Sequence, residues 1–165
     1  MQKFEWCLEK GKNEKKHKGI RKIAPNSSEA DGHIEKALHN LMAMESMHGQ
    51  GFDDWCVSAA FYSMYHAALA VLYESGFESR NQECTFTVLE HLIDRKIIDM
   101  KKETVWIIRK AGEVFEENDA KSLRETFQYG VETKVNPTII GELMKNSREI
   151  VQKMRIIVEE LRSKR

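Results

Sequence analysis

Tyr62 and His66 stand four residues apart, with Tyr65 adjoining, in a stretch that carries no charged side chain from Trp55 to Tyr73. On a helix, that interval puts both side chains on one face. A phenol beside an imidazole can hydrogen-bond a nucleotide or move a proton near neutral pH. Two readings stay open for the pair: a site facing a cleft, or a core histidine satisfied inside the fold, which is the commoner fate of buried polar tips. A second combination is Arg124 with Tyr129 five positions later, just before Gly130. A guanidinium is suited to clamping phosphate, although a single arginine is more often a surface or salt-bridged residue.

Other familiar chemistry is missing. There is no glycine-rich phosphate loop, no HExxH, no GxSxG and no tight carboxylate cluster. His33 and His39 are six apart, and His66 and His91 fall on different predicted elements, so helical spacing gathers no histidines. No metal and no cofactor is expected. Met42, Met44 and Met47 read as gap-filling core residues.

The elements that must position these groups are helical throughout, since no long apolar alternation bounded by turn pairs marks a strand. A first long helix is expected to start near Ser27 or Ser28, either of which can cap it. Its apolar face comprises Ile34, Ala37, Leu38, Leu41 and Met42, and Gly49-Gln50-Gly51 ends it. Asp53 is expected to cap a second helix to Glu74, with Gly76 at its C-terminal left-handed position. Its uncharged length approaches the roughly 20 residues that span a bilayer. Yet His66, two serines, three tyrosines and five alanines favour a buried central helix wrapped by neighbours. A third helix follows Asn81, and a fourth runs from about Lys101 to Glu117, weakened by Gly112. The last begins with Asn136 as cap and Pro137 at the first position. It carries a near-heptad stripe of Ile140, Leu143, Ser147, Ile150, Met154, Ile157 and Leu161.

The chain has 165 residues with 26 basic and 26 acidic side chains, a length and balance suited to one domain. Neutrality hides an asymmetry: residues 1–22 hold eight Lys or Arg against three acids. We therefore divide the chain into a basic arm, residues 1–27, and a helical bundle, residues 28–165. Lys12, Lys15, Lys16, Lys18 and Arg21 could contact nucleic-acid phosphates. The plainer expectation is a solvated, partly mobile terminus lying against the acidic body. No aromatic residues interleave the basic run to stack bases. Cys7, Cys56 and Cys84 are odd in number, widely spaced and without a CxxC pair. That excludes a disulfide framework, gives no support for a zinc ribbon, and points to a reducing cytoplasm. The charged N-terminus does not read as a secretory signal.

The string FYSMYHAALAVLYESGFESRNQECT, residues 61–85, resembles the HEPN superfamily, specifically its small prokaryotic group with a tyrosine-rich central helix. HIEKALHNL (33–41), DDWCVSAAFYSMYHAAL (53–69) and LRETFQYGV (123–131) extend the likeness over about residues 28–162. The resemblance implies an all-α, antiparallel four- to five-helix up-and-down bundle that dimerises. It also implies a nucleotidyltransferase partner in toxin–antitoxin-like pairs; RNA or a nucleotide is the expected ligand, and the polar and small residues of the uncharged stretch argue against a membrane. Active members are metal-independent ribonucleases with an Arg, then four to six residues, then a His: the His moves protons while the Arg stabilises the phosphorane. Here Arg124 matches the Arg, but Tyr129 stands where the His belongs, and no histidine follows His91. The expectation is a binding module without efficient ribonuclease activity, using Arg124, Tyr129, Tyr62 and His66. The alternative is a metal-independent endoribonuclease toxin with Arg124 as phosphate clamp and Tyr129 or His66 moving protons.

Overall fold

The computed structural model describes residues 3–12, 18–113 and 133–165. Its elements run α1 (Lys3–Gly11), β1 (Ile20–Lys22), α2 (Ser27–Gly49), α3 (Asp53–Glu74), β2 (Phe77–Ser79), α4 (Gln82–Asp94), α5 (Lys102–Glu113) and α6 (Pro137–Ser163). The fold is all-α, with one short two-stranded antiparallel ribbon pairing Ile20 with Ser79 and Lys22 with Phe77. Those strands correct the expectation of helix alone. Three residues are too few to show an alternating pattern in sequence.

α3 is the spine. It packs against α2, α4, α5, α6 and β2. Fourteen of its residues are buried, among them Cys56, Val57, Phe61, Met64, Val71 and Leu72. It is the one described helix long and apolar enough to cross a membrane, and 72% of its most apolar window is covered by protein. Small side chains let the partners come close. Ala59, Ala60, Ala67, Ala68 and Ala70 are buried, and the Ser147 hydroxyl of α6 reaches the Ala60 carbonyl at 3.5 Å while donating to Leu143 O at 2.7 Å. Arg148 of α6 pairs with Glu45 near the end of α2, and Arg162 reaches the Ser27 carbonyl at its start. α2 therefore runs antiparallel to α6, and to α3 across the turn at 50–52.

The helix ends follow local chemistry. The Asn81 and Asn136 side chains accept from Cys84 N and Thr138 N, with Pro137 opening α6. Gly76 has φ +82°, as the left-handed position after α3 requires. Three local expectations are corrected. Asn26, not a serine, caps α2 by accepting from Glu29 N, because it is the residue left extended just before the first turn. Phe52 occupies the N-cap of α3 without a side-chain bond, and Asp53 instead meets His48. Met42 is 70% exposed, since the α2 stripe facing α3 and α6 centres on Ala30, Ala37 and Met44.

The N-terminal segment also departs from its expected solvated state. Cys7 of α1 and Cys84 of α4 form a disulfide, which corrects the exclusion of such a bond. The partners are 77 residues apart, a separation that no spacing motif encodes. Phe4 stacks on His91 with ring centroids 4.0 Å apart and meets Phe77 edge-on. Cys56 is buried and unbonded.

Candidate functional site

The central hairpin gathers an aromatic row that spacing along one helix does not show. His33 of α2 brings its Nδ1 to 2.9 Å from Nδ1 of His66 on α3. Two rings stack on His33, His66 at 5.2 Å and 28° and Tyr73 at 5.2 Å and 24°. One imidazole must donate and the other accept, so at least one of the two facing nitrogens carries a proton. The expectation that the histidines stay apart is thereby corrected. It considered intervals within one helix, whereas the contact crosses the hairpin. Counting outward from Gly51, His33 lies 18 residues before and His66 15 after, within one turn of facing. That arithmetic was the available signal for His33.

The electrostatics follow from burial. His66 is pushed down to about 4, chiefly by desolvation and then by His33 and Lys36. Burial lowers His33 as well. Both rings are therefore neutral at pH 7, acting as a fixed hydrogen-bonding pair and not as a cation. Tyr65 turns the other way: its hydroxyl lies 3.3 Å from Thr85 Oγ1, which donates to Ser79 Oγ at 2.9 Å. Burial raises its pKa, keeping the phenol protonated. Tyr62 is the exposed member of the group at 45%, with its ring edge-on to Phe61. Tyr62 and His66 share the outer side of α3, but the one points to solvent and the other to α2.

The basic positions are spread over the arm. Lys12 and Lys18 are exposed, and Lys12 pairs with Glu9 at 2.5 Å. Arg21 Nε donates to the Gly11 carbonyl at 2.8 Å. Lys12 and Arg21 line a shallow groove with Leu8, Gly11, Ile20 and Lys22. Lys15, Lys16, Arg124 and Tyr129 lie outside the described residues. Among the described residues no group of three or more His, Cys, Asp or Glu could hold a metal ion, and His33 with His66 supplies only two nitrogens.

What this scaffold offers chemically is a helical hairpin with a half-buried, neutral imidazole pair and one exposed tyrosine beside it. No curated protein matches the chain. The family model described as HEPN domain does, over residues 30–161, which run from the first turn of α2 to the last turn of α6. The chain belongs to the HEPN family.

Proposed function

We propose that the chain is a HEPN-type helical binding module without efficient ribonuclease activity. In this reading it engages RNA, a nucleotide or a nucleotidyltransferase partner, as a homodimer in a toxin–antitoxin-like system of the cytoplasm. The observation that carries the proposal is the pairing of Arg124 with Tyr129 in a chain that has no histidine after His91. The arginine retains a phosphate-binding group. A tyrosine, titrating near pH 10 against roughly 6.5 for histidine, is a poor base at neutral pH. Loss of a general acid–base group typically slows such a reaction by about 10²–10⁴. The state of His66 supports the same reading, since its Nδ1 is already engaged by His33.

The test pairs cleavage with binding. The full chain is incubated with single-stranded RNA in EDTA, and RNA binding is measured for the native chain and Arg124→Ala. Binding that weakens about tenfold or more, the loss of one charge-assisted contact, together with intact RNA, is the expected result. Rapid cleavage in EDTA that Arg124→Ala abolishes would overturn the proposal in favour of the endoribonuclease toxin, which the retained Arg124 also favours. RNA binding unchanged by the substitution would remove Arg124 from the site.

A further inference from the structure

The described part of the N-terminal arm is held to the body at two places. At α1, Cys7 is bonded to Cys84, Phe4 lies on His91, and Lys3 Nζ pairs with Glu83 at 2.9 Å. At β1, three residues pair with β2, and Arg21 ties the strand back to the end of α1 through Gly11 O. Only one of these links is covalent. The ribbon is anchored separately, by the wholly buried Ile20 and by Ile23 N donating to Gly76 O at 2.9 Å, but a nine-residue helix does not persist alone in water and an exposed ion pair contributes little. The seating of α1 therefore depends on the oxidation state of two sulfurs.

We infer that Cys7–Cys84 is a redox latch for the basic arm. With the bridge intact, α1 is clamped to α4, and Lys10, Lys12, Lys18, Arg21 and Lys22 are held close to the body. With the bridge reduced, α1 comes away and carries Lys10 and Lys12 with it, while β1, whose Ile20 is wholly buried, keeps its pairing with β2. The reductant is a dithiol. One of its thiolates attacks a bridge sulfur, forming a mixed disulfide and releasing the other cysteine as a thiolate. Its second thiol then resolves the mixed species. The reductant leaves as a disulfide, two electrons have passed to the protein, and Cys7 and Cys84 each end with a proton. Both cysteines are wholly buried, so attack waits for the arm to open, and the latch yields slowly. Cys56 stands outside the exchange, because burial, with Asp53 and Glu45 nearby, pushes its thiol up to about 11. The latch does not rest on the ligand or partner proposed above.

Hydrogen exchange read by mass spectrometry tests it on the full chain, comparing air-oxidised protein, dithiothreitol-treated protein and Cys7→Ser. The expected result is exchange faster by roughly tenfold or more in segment 3–12 of the last two samples, with 60–72 in α3 unchanged. Equal protection of the arm in oxidised and reduced protein would overturn the latch. Loss of protection in α3 on reduction or in Cys7→Ser would overturn it too, making the bridge a staple of the entire fold. Alkylation of Cys7 and Cys84 in unreduced, denatured protein would show that no bridge forms and end the proposal.

Discussion

His33 and His66 make acid stability a residue-scale property. An unfolded chain binds protons at these rings near pH 6.5, whereas folded His66 binds its proton only near 4. Between those values the unfolded state takes up more protons, so stability is complete above about pH 6.5 and is lost as the pH falls toward 4. Thermal unfolding followed from pH 7.5 to 4.5 should show a falling Tm, and His66→Gln should flatten that slope. An equally steep slope in the variant would place the acid sensitivity elsewhere, with His91, also lowered by burial, as the next group to change. The histidine contact marks how far residue types alone carry the reading. His66 stood out from the sequence as a polar group on an apolar helix, but its partner lay across a hairpin whose register no local pattern prints. Arg124 and Tyr129, the other half of the candidate site, are legible only as a motif.

At the scale of elements, chemistry that is local in sequence proved readable. Asn81, Asn136 with Pro137, and Gly76 all sit where caps and turns require them, and the uncharged stretch of α3 is the buried core helix. Gly112 shows where local propensity misleads. It reads as a weak point in α5, yet a Cβ there would come within 3.0 Å of Phe61 Cε2 and 3.1 Å of Gln82 Nε2. The glycine lets α5 close on α3 and α4. Gly32 in α2 is the contrasting case, exposed and with nothing near its missing Cβ. Gly32→Ala should therefore stabilise the protein by about 0.5–1 kcal/mol in denaturant unfolding. Gly112→Ala should give no such gain, because crowding against Phe61 offsets the better helix propensity. The ribbon escaped the sequence for a related reason. Ile20–Lys22 and Phe77–Ser79 become strands only when α1 and α3 bring them side by side, so their cause is tertiary.

Over the whole molecule, a buried carboxylate joins three helix ends. The Glu74 side chain, fully buried at the end of α3, accepts from Ser27 Oγ at 2.9 Å and Arg162 Nε at 2.9 Å and pairs with Arg165. Arg162 also reaches Asp31 of α2 at 2.6 Å. Removing Arg162 leaves the buried carboxylate with Arg165 and Ser27 alone, a weaker compensation that costs more than losing a surface pair. Arg162→Ala should lower unfolding free energy by on the order of 3 kcal/mol, whereas Lys153→Ala, whose contact with Asp99 spans 3.9 Å, should cost less than about 1 kcal/mol. The cluster joins Ser27, Glu74 and Arg162, residues separated by tens of positions, and nothing in their spacing foretold it. It also determines how this molecule can be attached to anything else. The chain enters the bundle at Ser27 and leaves it at Arg162 within hydrogen-bond reach, at the same pole as the ribbon and the disulfide-bound arm. A fusion appended at either side of the bundle would crowd that one pole, away from Phe52 and Trp55, which are exposed at the opposite pole among the described residues. The two gates lie close enough for a short bridge to join them and for the chain to be reopened at 50–52 as a circular permutant.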